Sequence, residues 1–508
     1  MVQFIDTRTG EITGLSFSDV IIKGLAPSGG LFVPDTLPSM SPESIKALAK
    51  LPYHERAAAV YKLFELDIDD EQIDDICRAS YGEQFDDERI AALETIAPRT
   101  HMLELWHGPT SAFKDMALQC MPRFFSAALA KKHAADPNFN DMLILVATSG
   151  DTGKAALEGF ADRDGCAITV LYPEKGVSQI QRKQMVTQHG ANVDALGVRG
   201  NFDDCQNTVK AVFNDKAFNE KLARERGLQL SSANSINFGR LMPQIVYYIS
   251  ACADLWDIED LGGETELDVC VPTGNFGNIL AAYYAKLMGA PIGKLLCASN
   301  ENKILTDFIS TGTYDISDRE FIKTPSPSMD ILISSNMERM LYHLADAARV
   351  SQWMNELKEN KRFTLDRDTF AKMRALFVAD FATNKESLET IARVYDEHDY
   401  LCDPHTAVAW EVGERLRDET MPLLVVSTAH WAKFAPDVLR GLAHVEAGVA
   451  FSGEYAQQSE FEQLQSILAL APHASAIPRN LATLEHEPER LTDIIDAGAE
   501  ALEEKLLG

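Results

Sequence analysis

Short apolar runs alternate with longer helical patterns from residue 142 onward, and a turn rich in Gly, Ser or Asn follows most of the runs. A helix is predicted from Lys154 and another over residues 178–189. Strands that alternate with helices of ten or more residues pair in parallel through right-handed crossovers, so the pattern predicts a doubly wound α/β fold with mostly parallel sheets. The apolar runs predict strands over residues 142–147, 166–172, 228–232, 267–271, 295–298 and 423–427.

Changes in character along the chain predict three regions. Residues 1–96 combine a turn-rich segment with acidic helical patterns, which indicates an N-terminal accessory region that is largely helical. Residues 97–260 are expected to form a smaller α/β domain, and residues 261–508 a larger one that ends in an acidic helical tail. The pattern loosens near residues 300–350, where Pro325 and Pro327 stand in a polar stretch, and we expect this insertion to reach over a site.

Composition narrows the class of ligand and partner. The 508 residues include 76 acidic and 47 basic side chains, a formal net charge of -29, so the chain is not expected to bind nucleic acid or an anionic membrane. The eight cysteines show no metal-clip spacing, so no metal site is expected and a reducing cytoplasm fits best. Neither a secretory signal nor a membrane-spanning stretch is evident. An anionic ligand would therefore need a locally positive pocket.

One lysine stands where a loop enters a helix. Gly108 and Pro109 mark a turn, Lys114 follows, and an apolar-periodic stretch begins at Met116. A lone lysine at such a position is ordinarily a solvated side chain. Residues 147–156 and 271–280 change that interpretation, because each follows an apolar run and opens a helical pattern with glycines. A lysine amine and two glycine-rich anion sites are what an enzyme needs to hold pyridoxal phosphate covalently.

The first glycine-rich loop resembles a nucleotide P-loop only in part. Thr148 stands where the leading glycine should be, and Ala155 stands where Ser or Thr should follow the lysine, so an NTPase is excluded. The remaining interpretation is a polar turn whose backbone donors face an anion, with hydroxyls from Ser149 and Thr152. A simple helix N-cap explains the same residues, and both roles can coexist.

The second loop, residues 273–278, carries two glycines, two asparagines and a hydroxyl. Small residues let a phosphate approach the backbone, and amide groups complete the set of donors. A plain strand-to-helix turn is the alternative. Phe276 favours a site, because a large apolar side chain in a polar turn needs something to cover it.

Two further strand ends carry candidate side chains. Thr428 lies at the end of the last predicted strand, where a hydroxyl can bind a heterocycle nitrogen or cap a helix. His430 is interpreted as a satisfied polar residue without a chemical role. Arg240 follows the strand near residue 230 and either grips a phosphate or carboxylate or makes a surface ion pair, with equal support on spacing alone.

Together these motifs resemble the threonine synthase family, pyridoxal-phosphate enzymes of the tryptophan-synthase-β-like fold (fold type II), in its longer microbial and fungal branch. Trp431 departs from the family, where proline is expected in much of it. The resemblance covers most of the chain and lies in residues 29–34, 107–115, 149–153, 232–240, 273–278, 325–330 and 427–434, together with Ser335, Asn336 and Arg339.

The resemblance implies a role for each matching residue. Lys114 is implied as the catalytic lysine that holds the cofactor, and Thr428 as the partner of its pyridine nitrogen. Asp151 stands where relatives place a residue near the 3'-oxygen, but as Asp in place of the Asn of shorter relatives. The implied phosphate loop consists of Gly274, Asn275, Phe276 and Asn278, and the implied substrate-binding residues are Ser149, Thr152 and Arg240.

The implied reaction converts O-phospho-L-homoserine and water to L-threonine and phosphate, the last step of threonine biosynthesis, in a cytoplasmic monomer or homodimer. A dehydratase, a phospholyase or a β-replacement enzyme would keep the fold and cofactor but change the reaction, since fold alone does not decide. A catalytically idle amino-acid or phosphate binding protein is the alternative from another class, and retention of Lys114 argues against it.

Overall fold

The computed structural model describes all 508 residues of the chain. No helix in it is both long enough and apolar enough to span a membrane. The strands, in chain order, are β1 (Phe4–Asp6), β2 (Phe32–Pro34), β3 (Ala92–Ala97), β4 (Thr100–Glu104), β5 (Asp141–Ala147), β6 (Cys166–Pro173), β7 (Val193–Arg199), β8 (Leu228–Ser231), β9 (Leu267–Pro272), β10 (Ile292–Ser299), β11 (Thr313–Asp315), β12 (Arg362–Thr364), β13 (Phe377–Phe381), β14 (Leu423–Ser427) and β15 (Ile494–Asp496).

Helices occupy most of the remaining chain, and four short 3₁₀ helices lie at Pro327–Met329, Trp431–Phe434, Gly453–Tyr455 and Leu484–His486. The α-helices are α1 (Phe17–Lys23), α2 (Pro42–Leu48), α3 (Tyr53–Lys62), α4 (Asp70–Ser80), α5 (Asp115–Leu118), α6 (Met121–Ala135), α7 (Asp151–Phe160), α8 (Gln179–Val186), α9 (Phe202–Asn214), α10 (Lys216–Arg226), α11 (Phe238–Leu255), α12 (Gly277–Leu287), α13 (Ile304–Thr311), α14 (Met337–Leu344), α15 (Ala347–Asn360), α16 (Arg367–Leu376), α17 (Asn384–His398), α18 (Pro404–Leu416), α19 (Ala435–Leu442), α20 (Glu460–Leu470), α21 (Arg479–Ala482) and α22 (Ala499–Leu507).

Two large sheets form the framework. The six-stranded sheet has the order β13-β10-β9-β14-β4-β3 and is parallel except for the β3–β4 pair. The five-stranded sheet has the order β15-β7-β6-β5-β8 and is parallel throughout. The predicted α/β class with mostly parallel sheets is confirmed. Ligands bind beyond the carboxyl ends of such strands, and β4, β5, β8, β9 and β14 all end in loops that the sequence marked as candidate sites.

Strand positions follow the predictions closely where the strands are buried. The predicted strand over residues 423–427 coincides with β14, and β5 and β6 differ from their predictions by one residue each. The sheets do not follow the three chain regions, however. β3 and β4 belong to the sheet of the C-terminal half, and β15 crosses back to pair with β7. The domain borders at residues 96 and 260 stay a prediction. In both sheets, strands from different predicted regions pair with one another.

Helix α11 lies inside the molecule and carries residues toward the site. Every residue of this helix except Asp254 is buried, as expected for a helix that is apolar on all sides. It contacts α2, α3, α5 and α12, so it connects the N-terminal region to both loops around Lys114. Arg240 lies in its first turn, and Tyr247 and Tyr248 lie two turns further along.

Candidate active site

The loop that carries Lys114 is held by its own aspartate and by the chain after β14. Asp115 accepts hydrogen bonds from the Thr110 N–H (2.8 Å) and the Thr110 hydroxyl (2.7 Å). The Phe113 N–H donates to the Thr428 carbonyl (2.8 Å), which places Thr428 beside the lysine loop. The structure therefore brings Lys114 and Thr428 together, although they lie far apart in the sequence.

Lys114 is almost completely buried and faces a carboxylate. Its Nζ lies 3.3 Å from Asp151 Oδ2 and 3.3 Å from the Ser328 hydroxyl. Burial lowers the pKa of Lys114 below its ordinary value; Asp151 opposes this change, while the charges of Lys433 and Arg240 add to it. A buried amine with a lowered pKa in a contact with a carboxylate is typical of a reactive lysine.

Asp151 is the centre of a buried ionic cluster. Its Oδ1 lies 2.8 Å from Lys433 Nζ and accepts a hydrogen bond from Gln181 Nε2 (3.0 Å). Burial alone would raise the pKa of Asp151, but the ammonium groups of Lys433 and Lys114 outweigh burial and hold that pKa well below its usual range. The two ammonium groups thus favour the ionised form of Asp151.

In the loop before α7, backbone N–H groups are capped by Thr148, which is not one of the predicted site residues. The Thr148 hydroxyl accepts the N–H groups of Gly150 (3.0 Å) and Gly153 (2.9 Å), so part of the predicted anion-binding backbone is already satisfied. Gly150 has φ +143°, and a Cβ there would lie 2.6 Å from the Gln181 side chain. Ser149 and Thr152 are half-buried at this turn, and their hydroxyls make no hydrogen bond to the other predicted site residues.

The loop after β9 is packed closely under the segment that includes Ser328. A Cβ at Gly274 would lie 2.7 Å from the Ser328 carbonyl oxygen, so glycine is required there by protein backbone. Asn275 is exposed and hydrogen-bonds through its carbonyl to the Asn336 N–H (3.1 Å). Phe276 has φ +62°, and its ring is buried against Phe377, so its side chain is covered by the core. Any contact of Phe276 with a ligand would use its backbone.

Helix α12 begins directly after this loop without a side-chain cap, which leaves its first N–H groups free for an anion. Asn278, in its first turn, accepts hydrogen bonds from the hydroxyls of Tyr247 (2.6 Å) and Tyr248 (2.5 Å) through Oδ1. Its Nδ2 is buried and has no partner in the protein. Buried donors of this kind are rarely left unsatisfied, so the Asn278 amide is a candidate donor to a ligand.

Arg240 is buried without an acidic partner, which excludes the surface ion pair that its spacing also allowed. It is 4% exposed, one guanidinium nitrogen donates to the Ala233 carbonyl (3.0 Å), and Nε has no partner. Burial lowers its pKa to about 10, and it lies close enough to Lys114 to lower the pKa of that lysine as well. It therefore adds a positive charge that no carboxylate neutralises.

A turn within residues 300–350 contacts Lys114 through Ser328. Thr324, Asn300 and Asn302 hold Asp330 by hydrogen bonds, which fixes the turn that presents Ser328 to Lys114. His405 supports the same turn, because its Nε2 accepts the Ser328 N–H (3.2 Å). Its Nδ1 hydrogen-bonds to Asp403, 2.6 Å away.

Further along the insertion, Arg339 is fully buried and joins three segments. It donates to the carbonyls of Phe32 (2.9 Å) and Ile236 (2.6 Å) and to Asn336 Oδ1 (2.5 Å). These bonds connect β2, the loop before α11 and the start of α14. The residues shared by the N-terminal motif and the insertion therefore act together as a structural clamp.

The two aromatic residues after Thr428 have structural partners. His430 Nδ1 accepts the Ala432 N–H (3.1 Å), and Nε2 hydrogen-bonds to the Ser475 hydroxyl (3.0 Å), which confirms the interpretation of a satisfied residue. Burial lowers its pKa to about 3. Trp431 donates through Nε1 to Ser475, so this departure from the family anchors the C-terminal segment and leaves Thr428 in place.

Sequence reasoning missed three residues that contact this site: Lys433, Ser328 and Gln181. Lys433 is fully buried within the 3₁₀ helix Trp431–Phe434, and a charged residue among apolar ones was the signal that could have found it. Ser328 lies in the insertion that was expected to cover the site. Gln181 carries no local signal, because only the fold brings α8 against Asp151.

The residues present fit pyridoxal phosphate. An aldehyde needs a reactive amine, which Lys114 provides, and a phosphate needs donors, which the uncapped start of α12 and the unpartnered Asn278 Nδ2 provide. No group of three or more His, Cys, Asp or Glu side chains is arranged to hold a metal ion. The structure thus combines a buried amine, a buried carboxylate and unpartnered donors in one place.

Three family models match the chain in sequence order. "Threonine synthase N terminus" matches residues 3–81, "Pyridoxal-phosphate dependent enzyme" matches residues 102–427, and "Threonine synthase, C-terminal" matches residues 406–505. Nearly the whole chain is covered, and the second match includes every predicted site residue except Thr428. That residue falls within the third match.

Curated proteins and solved structures agree with this assignment. "Threonine synthase-like 1" from Macaca fascicularis is 43% identical over 442 residues, which cover 85% of this chain. The chain spans only 58% to 62% of the length of the mammalian relatives of that name. "Threonine synthase" from Saccharomyces cerevisiae is 38% identical over 86% of this chain and 88% of its own.

The crystal structure of PLP-bound threonine synthase from Brucella melitensis superposes with a TM-score of 0.86 and 36% identity, over 100% of this chain and 99% of that one. Its agreement extends to the N-terminal and C-terminal regions as well as to the two sheets. From the matched models, the relatives and this shared architecture, the chain belongs to the threonine synthase family of pyridoxal-phosphate-dependent enzymes.

Proposed function

We propose that the protein is a threonine synthase that converts O-phospho-L-homoserine and water to L-threonine and phosphate with pyridoxal phosphate. The observation that carries the proposal is the buried Lys114 amine, which lies against Asp151 while Arg240 stands nearby without a carboxylate partner. The family membership supports it. Cytoplasmic location and a monomeric or homodimeric state stay predictions.

Lys114 is proposed to hold the cofactor covalently, and Thr428 to bind its pyridine nitrogen. The phosphate group is assigned to the start of α12, with Asn278 Nδ2 as the side-chain donor and the backbone of Gly274, Asn275 and Phe276 around it. Support for this placement comes from the uncapped helix and from the unpartnered amide of Asn278. Asp151 is proposed to lie on the 3'-oxygen side, since its Oδ2 faces Lys114.

Pyridoxal phosphate, when bound, supplies an electron sink for the electron pair of a broken C–H bond. The chain supplies the proton transfers. Burial lowers the pKa of Lys114, so a larger fraction of this amine is neutral near pH 7 than for an ordinary lysine, as a proton acceptor requires. Asp151 orients the amine through a contact of 3.3 Å and stays ionised itself.

Arg240 is proposed to bind one of the two anionic groups of the substrate. A dehydratase acting on an amino acid with a hydroxyl group needs no second site for a phosphate, whereas O-phospho-L-homoserine carries both a carboxylate and a phosphate. Arg240 offers a buried guanidinium with a free Nε for one of these anions. Ser149 and Thr152, at the neighbouring turn, are proposed to add hydroxyl donors.

Ser328 and its turn are proposed to exclude water during the first half of the reaction. The turn already touches Lys114 and Asp151, and Asp330 and His405 hold it in place. Water must enter only after phosphate has left, since early release would yield a ketoacid instead of threonine.

The experiment that tests this function is a product assay of the purified protein with O-phospho-L-homoserine. We expect a visible absorption band from the bound cofactor, and threonine and inorganic phosphate in equal amounts. A band with ketoacid as the main product would assign the protein to the dehydratases or phospholyases. No band and no turnover after addition of pyridoxal phosphate would support the idle binding protein.

A further inference from the structure

A second lysine lies behind the site, out of reach of solvent. Lys433 is 0% exposed, and its ammonium group contacts Asp151 Oδ1 at 2.8 Å and the Thr110 carbonyl at 2.7 Å. Both contacts belong to elements of the site, since Thr110 is in the lysine loop and Asp151 opens α7.

The two oxygens of Asp151 are divided between two lysines. Oδ1 is taken by Lys433 and Gln181, while Oδ2 faces Lys114 and the Ser328 hydroxyl. A carboxylate away from water is stable as an ion only beside a counter-charge. Lys114 is an unreliable counter-charge, because an amine that binds a cofactor or accepts and releases protons changes its own charge. Lys433 is not assigned to the cofactor, and its two short contacts tie the Asp151 carboxylate to the lysine loop.

We propose that Lys433 is a positioning residue: its buried ammonium group keeps Asp151 ionised and oriented toward Lys114, whatever charge Lys114 itself carries. Lys433 thereby also tunes the proton affinity of the Lys114 amine. This inference rests on the proposed function only through the assignment of Lys114 as the lysine that holds the cofactor, and it does not depend on the identity of the substrate.

The charged groups around the pair leave Lys433 as its fixed partner. Lys114 is faced by Asp151, Lys433 and Arg240, and Asp151 is also influenced by His405. Burial raises the pKa of the neighbouring Asp115 to about 6, and the charge of Lys433 opposes that change. His405 is hydrogen-bonded to another carboxylate, and Arg240 makes no ion pair with Asp151. Besides Lys114, only Lys433 therefore contacts the Asp151 carboxylate with a positive charge.

The test measures how the rate of cofactor uptake by the full-length protein depends on pH. The cofactor is first removed, and pyridoxal phosphate is then added at one fixed concentration. Recovery of the visible absorption band is followed over about five pH units, from about pH 5 to about pH 10. Only a neutral Lys114 amine reacts, so the midpoint of the rate profile reports the pKa of Lys114. Ionisation of the cofactor itself is the same for all variants and cancels in the comparison.

Lys433→Gln removes the charge and keeps a donor. Loss of a positive neighbour leaves Lys114 as the main counter-charge of Asp151, so we expect the midpoint to rise by about one pH unit and uptake below it to slow about tenfold. Asp151→Asn is expected to lower the midpoint, and the double variant D151N/K433Q to return it toward the wild-type value. A purely structural role for Lys433 would not be reversed by the second substitution.

Lys154→Gln is the matched control, because Lys154 lies on the same helix as Asp151 but pairs with Glu158 at 2.9 Å. Its uptake profile is expected to match that of the wild type. If K433Q alone fails to fold, the comparison of D151N with D151N/K433Q decides the question, because both side chains are neutral in the double variant. The midpoint of the double variant must then lie above the midpoint of D151N.

The uptake assay distinguishes failure of the proposed function from failure of the role of Lys433. A wild-type protein that takes up no pyridoxal phosphate would overturn the proposed function. A wild-type protein that takes it up normally, together with a K433Q profile equal to that of the wild type or a double variant equal to D151N, would overturn the role of Lys433 alone.

Discussion

The two glycine-rich loops beside Lys114 look alike in sequence but offer different chemistry. Both follow a buried parallel strand and open a helix. The loop before α7 satisfies its own backbone through Thr148 and presents a charged side chain, Asp151. The loop before α12 carries no charged side chain, lacks a side-chain cap and ends in the unpartnered amide of Asn278. One loop places a carboxylate beside the lysine, and the other leaves neutral donors without a protein partner.

Glycine in a strand-to-helix turn therefore does not by itself identify a phosphate site. Gly150 is required by the Gln181 side chain, and Gly274 is required by the Ser328 backbone. In each case the glycine makes room for protein. What distinguishes the loops is whether the helix that follows still has unsatisfied donors.

Asp151→Asn, at the end of the loop before α7, is the substitution expected to have the largest effect. Lys114 loses its carboxylate, and Lys433 is left buried without one, so turnover should fall at least about 100-fold while cofactor still binds. Turnover and the cofactor band are measured together, and thermal unfolding checks the fold. Glu158→Gln on the same helix is the control. A D151N protein with wild-type turnover would contradict the assignment of charge control to this loop.

Asn278→Asp tests the loop before α12, which carries no charged side chain. Oδ1 can still accept from Tyr247 and Tyr248, but a donor becomes an acceptor beside the proposed phosphate, so cofactor affinity should fall about 10- to 100-fold. Equilibrium titration with pyridoxal phosphate measures this, and turnover at saturating cofactor should change little. Asn275→Asp, at an exposed position of the same loop, should lose less affinity. Equal losses in the two variants would remove the special role of Asn278.

Gly274→Ala tests the contact between the loop before α12 and the turn that carries Ser328. The new Cβ would meet the Ser328 carbonyl at 2.7 Å, so we expect about 1–3 kcal/mol less unfolding free energy and a larger share of ketoacid product. Chemical denaturation and product analysis measure the two effects. In the control Gly413→Ala, the Cβ would lie 3.2 Å from a terminal methyl group of Leu423 and would meet no backbone atom, so stability should drop less. Unchanged products in G274A would argue against water exclusion by Ser328.

Thr428→Val should have the smallest effect on folding. Its backbone carbonyl still accepts the Phe113 N–H, so the unfolding free energy should change by less than about 1 kcal/mol. Loss of the hydroxyl should nevertheless shift the absorption maximum of the bound cofactor. An unchanged spectrum would move the pyridine contact to another residue.

Much of the fold was predictable because buried parallel strands are continuous apolar runs. β14 coincides with its prediction for this reason. β4, with Thr100, His101 and Glu104, mixes polar residues into a buried strand and was missed. β15 has three residues and forms only because the chain returns to pair with β7, which no local pattern announces.

Candidate site residues could be named where chemistry and local pattern coincide, as at Lys114 and Arg240. Its charge balance was not predictable. Lys433 reaches Asp151 only through the pairing of the chain after β14 with the lysine loop, and Ser328 reaches Lys114 only through the folded insertion. Long-range contacts of this kind depend on tertiary structure, so the sequence could name the candidate residues but not their counter-charges.

Lys114, and no other lysine, is proposed to carry the cofactor between these two loops. The most direct measurement is reduction of the purified protein with borohydride, which fixes the cofactor to its lysine, followed by peptide mass spectrometry. We predict the added mass on the peptide that contains Lys114, and its absence from that peptide in Lys114→Ala. Stoichiometric modification of Lys433 or Lys154 in the wild-type protein, with Lys114 unmodified, would contradict the account.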